Sequence, residues 1–166
     1  MIMQLKKNLE IKMVKQRITI GSILEIRIED QYYSYAQILT EADCAFFEYK
    51  STERLKDFSV LENAEILFII AVYGDVITQG KWLKVGKLNM RESLKNKPMK
   101  FIQDPLNHNN FELYNPNTGE ISRATKEQCI GLECAAVWEG NHVEDRIRDY
   151  YLGIPNIWYE QTKIKL

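Results

Sequence analysis

The chain has 166 residues, 45% of them hydrophobic and 27% charged, a composition that suits one globular domain with its own core and argues against wholesale disorder. The net charge of −1 is unevenly spread: residues 1–17 carry five basic side chains against Glu10, giving +4, and the rest carries 17 basic and 22 acidic ones, giving −5. An acidic body does not suit phosphate-backbone binding, which needs clustered Lys and Arg; a basic protein partner suits it better.

Residues 1–17 read as a basic arm with weak periodicity, and 18–166 as one β-rich domain. Leu24, Ile26 and Ile28 alternate with Glu25 and Arg27, which predicts a strand. Glu29-Asp30-Gln31 is a break of hairpin length, and Tyr32–Leu39 returns as a second strand. Cys44–Lys50 forms a third, with Ala45, Phe47 and Tyr49 on one side. Ser51–Ala64 is a polar loop with one helical turn. Ile66–Tyr73 is apolar on both faces, as a central strand covered on each side would be. Gly74-Asp75 and Gln79-Gly80 flank a short segment, and Trp82–Met90 is irregular. Phe101-Ile102-Gln103 is a short strand. Phe111–Tyr114 and Glu120–Ala124 flank the turn sequence Asn115-Pro116-Asn117-Thr118-Gly119 and form a hairpin.

Thr125 and Gln128 are spaced as a capping box for a helical turn. Leu132–Trp138 is short and bordered by glycines, which favours strand. Asn141 as cap, with Val143, Ile147, Tyr150 and Tyr151 as an apolar stripe, predicts the one clear helix, stopped by Gly153 and Pro155. The layout is mainly β (α+β): a strongly bent antiparallel sheet or a partly open small barrel, with one C-terminal helix packed on it.

Cys44, Cys129 and Cys134 are too few, and odd in number, for a disulfide framework. The first 16 residues lack the apolar run of a signal peptide, and Ile66–Tyr73 is too short to span a bilayer, so a cytoplasmic location without membrane attachment is expected. Cys129 and Cys134 match no familiar zinc spacing, and both read as packing residues. His142, Glu144 and Asp145 have the residue types of acid–base machinery, but their place in a first helical turn suits capping and the helix dipole. No Gly-rich phosphate loop, nucleophile elbow or H-E-x-x-H motif occurs. Trp82, set among Lys81, Lys84 and Lys87, has two readings: a surface aromatic for a base or a partner, or a lid on one end of the sheet. Trp138, at the end of the apolar Ala135–Val137 run, reads as core.

Four strings, in order, carry a resemblance: Gly21-Ser22-Ile23-Leu24-Glu25-Ile26 leading to Tyr33-Ser34-Tyr35-Ala36-Gln37; Trp82-Leu83-Lys84-Val85-Gly86-Lys87; Phe101-Ile102-Gln103-Asp104-Pro105; and Gly131–Trp138 continuing to His142-Val143-Glu144-Asp145-Arg146. Over roughly residues 18–158 the chain resembles the immunity protein 26 family of bacterial polymorphic toxin systems. The resemblance implies a mainly β protein that binds a co-produced toxin and blocks it, with no catalytic residues, metal or cofactor to carry over. Under that reading the expected anchors are Trp82, Asp104, Glu139, Asp145 and Asp149. Two other readings compete. One is a small β-barrel nucleic-acid module using the basic arm and Trp82, which would bind with a steep salt dependence. The other is a hydrolase built on His142 and Cys134.

Overall fold

The computed structural model describes residues 14–166, so most of the basic arm lies outside the described residues. Two separate sheets form. The larger has the order β5-β1-β2-β3-β4-β9, and the smaller the order β6-β7-β8. In chain order the large sheet uses β1 (Ser22–Ile28), β2 (Tyr32–Ile38), β3 (Asp43–Ser51), β4 (Ile66–Val72), β5 (Leu83–Lys87) and β9 (Val137–Trp138). The small sheet uses β6 (Lys100–Gln103), β7 (Phe111–Tyr114) and β8 (Ile121–Ala124). Short helical turns fill the connections: α1 (Asp75–Thr78), α2 (Glu92–Lys95) and α3 (Lys126–Cys129). Two helices follow β9, α4 (Gly140–Leu152) and α5 (Ile157–Thr162). The mainly β, α+β expectation agrees with this. Neither sheet closes on itself among the described residues.

The β1–β2–β3–β4 meander follows from alternation. Leu24, Ile26 and Ile28 of β1 join Phe46, Phe68 and Ile70 in the core that faces α4. On the opposite face Ile23, Tyr35 and Phe47 pack under Leu55, Phe58 and Leu61 of the β3–β4 loop. The β1–β2 turn takes positive φ at Glu29 and Asp30, 48° and 56°, the backbone a tight hairpin needs to match strand twist, here without the usual glycine.

Four expectations are corrected. Leu83–Lys87 is a strand, β5, on the edge beside β1; a bulge opposite Ile23 and Leu24 breaks its alternation, which is why it read as irregular. β4 is buried at Phe68 and from Ile70 to Val72 but only half-buried at Ile66, Leu67 and Ile69, and its far neighbour β9 is two residues long and pairs with Ala71 and Val72 alone. A second C-terminal helix, α5, exists: Asn156 Oδ1 accepts the Tyr159 N–H and caps it. The capping box at Thr125 forms as read, Gln128 returning a bond to the Thr125 N–H. In α4 the N-cap is Glu139, without a side-chain bond, rather than Asn141. Gly153 closes that helix at φ 67°, the left-handed C-terminal stop that glycine adopts at least cost.

Residues 14–17 are integrated into the fold. The Gln16 side chain donates to the Ile77 and Trp82 carbonyls and accepts the Lys84 N–H, at 2.8–2.9 Å, which covers the outer edge of β5. The two sheets are joined by an ion pair between Lys100 of β6 and Asp43 of β3, 3.0 Å apart and almost fully buried.

Glu25 is the buried exception on β1. Its carboxylate faces Arg54 at 3.2 Å and the Tyr35 hydroxyl at 3.5 Å. Burial raises its pKa above the ordinary 4.5, and Arg54 and Tyr35 oppose this only in part. The protonated form is therefore the better-tolerated one in the fold. Its contribution to stability is fully present below the unfolded carboxyl value and is lost as pH rises through the higher folded value. Glu25→Gln is thus expected to raise the melting temperature near pH 7 and leave it unchanged near pH 4. Thermal melts at both pH values test this, and a variant less stable than wild type near neutrality would contradict it.

Candidate functional site

The five expected anchors separate by burial. Trp82 is 1% exposed. Its ring packs edge-on against Phe46, centroids 5.7 Å apart, and its Nε1 donates to Glu144 at 3.2 Å. The lysines around it mark the surface, but Gly80, at φ 77°, turns the chain so that Trp82 enters the core between sheet and α4. No free aromatic exists there for a base or a partner, which corrects the anchor reading and removes the nucleic-acid reading's main residue. Asp149 is also buried, at 4% exposed, which removes it from the anchors. Burial alone would raise its pKa, but bonds from Arg148 Nε at 2.9 Å and Asn156 Nδ2 at 2.8 Å hold it below the ordinary value. It locks the corner between α4 and α5. Asp104 shapes the turn after β6, its Oδ1 accepting the Leu106 and Asn107 N–H groups.

Glu139 and Asp145 are linked through one aromatic residue, Trp158. Glu139 is exposed at the start of α4. Asp145, one and a half turns further on, accepts the Trp158 Nε1–H at 3.0 Å and the Arg148 guanidinium at 3.1 Å. Trp158 in turn stacks on His142, ring centroids 3.6 Å apart and planes 13° from parallel. Ala136, Val137, Glu139, His142 and Trp158 line a shallow cavity of about 340 Å³. Val137 is 48% exposed beside it, and Tyr73, whose N–H donates to the Trp138 carbonyl, is 50% exposed. Asp75 follows at the start of α1, which packs against Gly140 through Val76.

The cavity therefore combines Val137, His142 and Trp158 with the carboxylate of Glu139, Asp145 is bonded to Trp158, and Tyr73 and Asp75 are exposed on the chain that follows β4. Trp158 is held by three different contacts, the stack, the Asp145 bond and packing on the core. It is presented already ordered, which reduces the entropy lost on binding. Sequence reasoning missed Trp158 and Tyr73. The signal for Trp158 was Pro155-Asn156, a proline followed by a capping residue, which opens a further helix.

The residues of the hydrolase reading are kept apart. Cys134 lines a cavity with Phe101 and the C-terminal segment, whereas His142 lines the aromatic one. Cys44 lies in the core with its thiol pushed up to about 12 by burial, far from a reactive thiolate at neutral pH. Among the described residues, no three His, Cys, Asp or Glu side chains cluster as a metal would require, and no helix is long and apolar enough to cross a membrane.

A family model, immunity protein 26, matches residues 19–112. The chain belongs to the immunity protein 26 family. No curated protein and no solved structure matches the chain. The family match spans β1 to the start of β7, the meander and the edge strand β5, and agrees with the resemblance read from the first three strings. The fourth, Gly131 to Arg146, lies beyond it. Tyr73 and Asp75 thus come from the immunity-protein segment, and Val137, Glu139, His142, Asp145 and Trp158 from the part that follows.

Proposed function

We propose that this immunity protein 26 family member neutralises a cognate bacterial toxin by protein–protein contact, acting in the cytoplasm as one β-rich domain over residues 18–166, without catalysis or a cofactor. The contact surface is the face around Trp158, with Asp75, Glu139 and Asp145 meeting basic residues of the toxin. The observation that carries this reading is the His142–Trp158 stack: an ordered, partly exposed aromatic pair beside the carboxylates of Glu139 and Asp145. Specific interfaces concentrate their binding energy in such aromatic anchors, and acidic rims accelerate encounter with a basic partner. A complex of ordinary size buries roughly 1,600 Å² in total, so it would reach well beyond the cavity itself.

Co-expression of the neighbouring toxin with this protein in a sensitive bacterium tests the function directly. Growth rescue and co-purification are expected; growth arrest with no complex rules the proposal out for that toxin. The acidic residues have their own test. Reversing charge in the double variant Asp75→Lys and Glu139→Lys is expected to slow association about tenfold at low salt and to converge on wild type at high salt. Stopped-flow or surface-plasmon measurements across ionic strength read this, and an unchanged rate would move the interface elsewhere.

A further inference from the structure

β4 is bonded along its length to β3, but its other edge is covered only at one end. The Val72 N–H donates to the Ala42 carbonyl on the β3 side, and the Tyr73 N–H to the Trp138 carbonyl on the β9 side. Alternation along the strand then turns the peptide groups of Ala71 and Ile69 toward the β9 side. β9 reaches Ala71 and goes no further. Register shifts by one residue at Leu67, so that Ile66 pairs with Phe47 and Glu65 bonds Glu48. Beyond that bulge Ile66 again faces outward. Ile69 and Ile66 thus have peptide groups with no strand beside them among the described residues.

The chain preceding β9 leaves this edge uncovered because it is deflected. The Ala136 N–H bonds back to the Cys134 carbonyl at 2.8 Å, a tight turn that carries the preceding residues away from β4. There they join the small sheet: Phe101 of β6 donates to the Glu133 carbonyl and accepts the Ala135 N–H. β4 and this segment form the two arms of a fork. The space between them is a groove of about 360 Å³, with Ile66 to Ile69 on one wall and Met99, Leu132 and Glu133 on the other.

We infer that this fork receives an extended segment of the toxin, which adds to the open edge of β4 below β9 and carries a basic residue opposite Glu65. Unbonded peptide groups on a strand edge are complementary to another extended backbone, and alternate side chains of the added strand find the apolar walls. β9 is already a short strand on this edge, so the added segment continues an existing line of pairing. Edges are commonly protected by Lys, Pro or a bulge. Here Ile66-Leu67-Phe68-Ile69 contains neither of those residues, and the bulge at Leu67 leaves two pairing points. Charge selects the occupant's end. Lys100 and Glu133 at the groove are already paired with Asp43 and Arg146. Glu65, exposed directly before Ile66, has no ion-pair partner among the described residues.

The inference rests on the toxin-binding reading, and amide hydrogen exchange separates the two. The probe is the toxin domain encoded beside this protein's gene. In the free protein the Ile69 amide is expected to exchange at least tenfold faster than that of Ile70, which is bonded to β3. In the complex the Ile69 and Ile66 amides slow at least tenfold, while Ile70 is unchanged. Met99→Trp, which fills the groove from the wall opposite β4, and Glu65→Lys are each expected to weaken binding at least tenfold. A complex that leaves the Ile69 and Ile66 amides unprotected overturns strand addition and leaves toxin binding standing. Protection that grows with concentration in the absence of toxin assigns the edge to a second copy of the chain and also overturns it. Absence of any complex ends both readings.

Discussion

Arg146→Ala is expected to cost about 3 kcal/mol of folding stability and to lower the melting temperature by roughly 6–12 °C. Arg146 is a helical residue of α4 that is nonetheless buried. Its guanidinium lies 3.9 Å from the Phe68 ring centroid and 4.0 Å from that of Tyr159, with Trp138 at 5.0 Å. In the plane of the group, both Nη atoms bond the Glu133 carboxylate, 3.2 Å for the longer arm. One side chain therefore ties β4, β9, α5 and the approach to β9 onto α4. Removing it strands a carboxylate and opens the space between two aromatic rings. Breaking a fully buried pair costs about 3–5 kcal/mol, and Glu133 keeps some solvent access, which sets the lower end of that range. Arg146→Lys keeps the charge but neither the flat stacking surface nor the two-pronged bond, and it is expected to recover less than half of the loss. The double variant Arg146→Met with Glu133→Leu replaces the pair by apolar volume and is expected to lie closer to wild type than Arg146→Ala. Urea denaturation of the three variants decides the matter. A loss under about 1 kcal/mol for Arg146→Ala would mean the pair is solvated and the stacking weak.

Trp158→Ala is expected to weaken toxin binding by at least about 2 kcal/mol, roughly 30-fold in Kd. The argument is one of order as much as of area. Trp158 is fixed by the His142 stack and by Asp145, and Asp145 is itself held by Arg148, which also reaches Asp149 and Glu29. The indole therefore keeps one orientation before the partner arrives. Trp158 also packs on the core, so a loss of fold must be separated from a loss of contact. Trp158→Phe keeps a ring for the stack and gives up the Asp145 bond. It is expected to retain the melting temperature within a few degrees and to bind with intermediate affinity. Calorimetric titration of the toxin domain into each variant, with circular dichroism as the fold control, measures both effects. Wild-type affinity in Trp158→Ala would remove this face from the interface.

The elements that were legible in the sequence are those whose pattern is local. Leu24, Ile26 and Ile28 alternate because one side of β1 is core, and that alternation needs no neighbour to be read. The Thr125 capping box and the Gly153 stop are likewise local hydrogen-bond chemistry. β5 was not legible, because a bulge against β1 breaks its period and half-exposure leaves Lys84 and Lys87 on a strand. The same limit applied at the site. Lysines around Trp82 suggested a surface, but Lys84 and Lys87 lie on the edge strand β5 while Trp82, just before it, turns inward. Asp149 was expected as a partner anchor, yet Arg148 and Asn156 make it an internal tie.

By itself the sequence determined the class of protein: a β-rich domain, and strings that place it with the immunity proteins. It could do so because alternation, turn residues and caps act over a few positions. Which aromatic is buried and which is displayed was decided only in three dimensions. Trp82 and Trp158 are the same residue type in similarly polar surroundings. Their fates differ because Phe46 and Glu144 enclose one, while His142 and Asp145 hold the other at the surface. Those partners are set by packing between elements far apart in the chain, and a one-dimensional pattern does not carry that information.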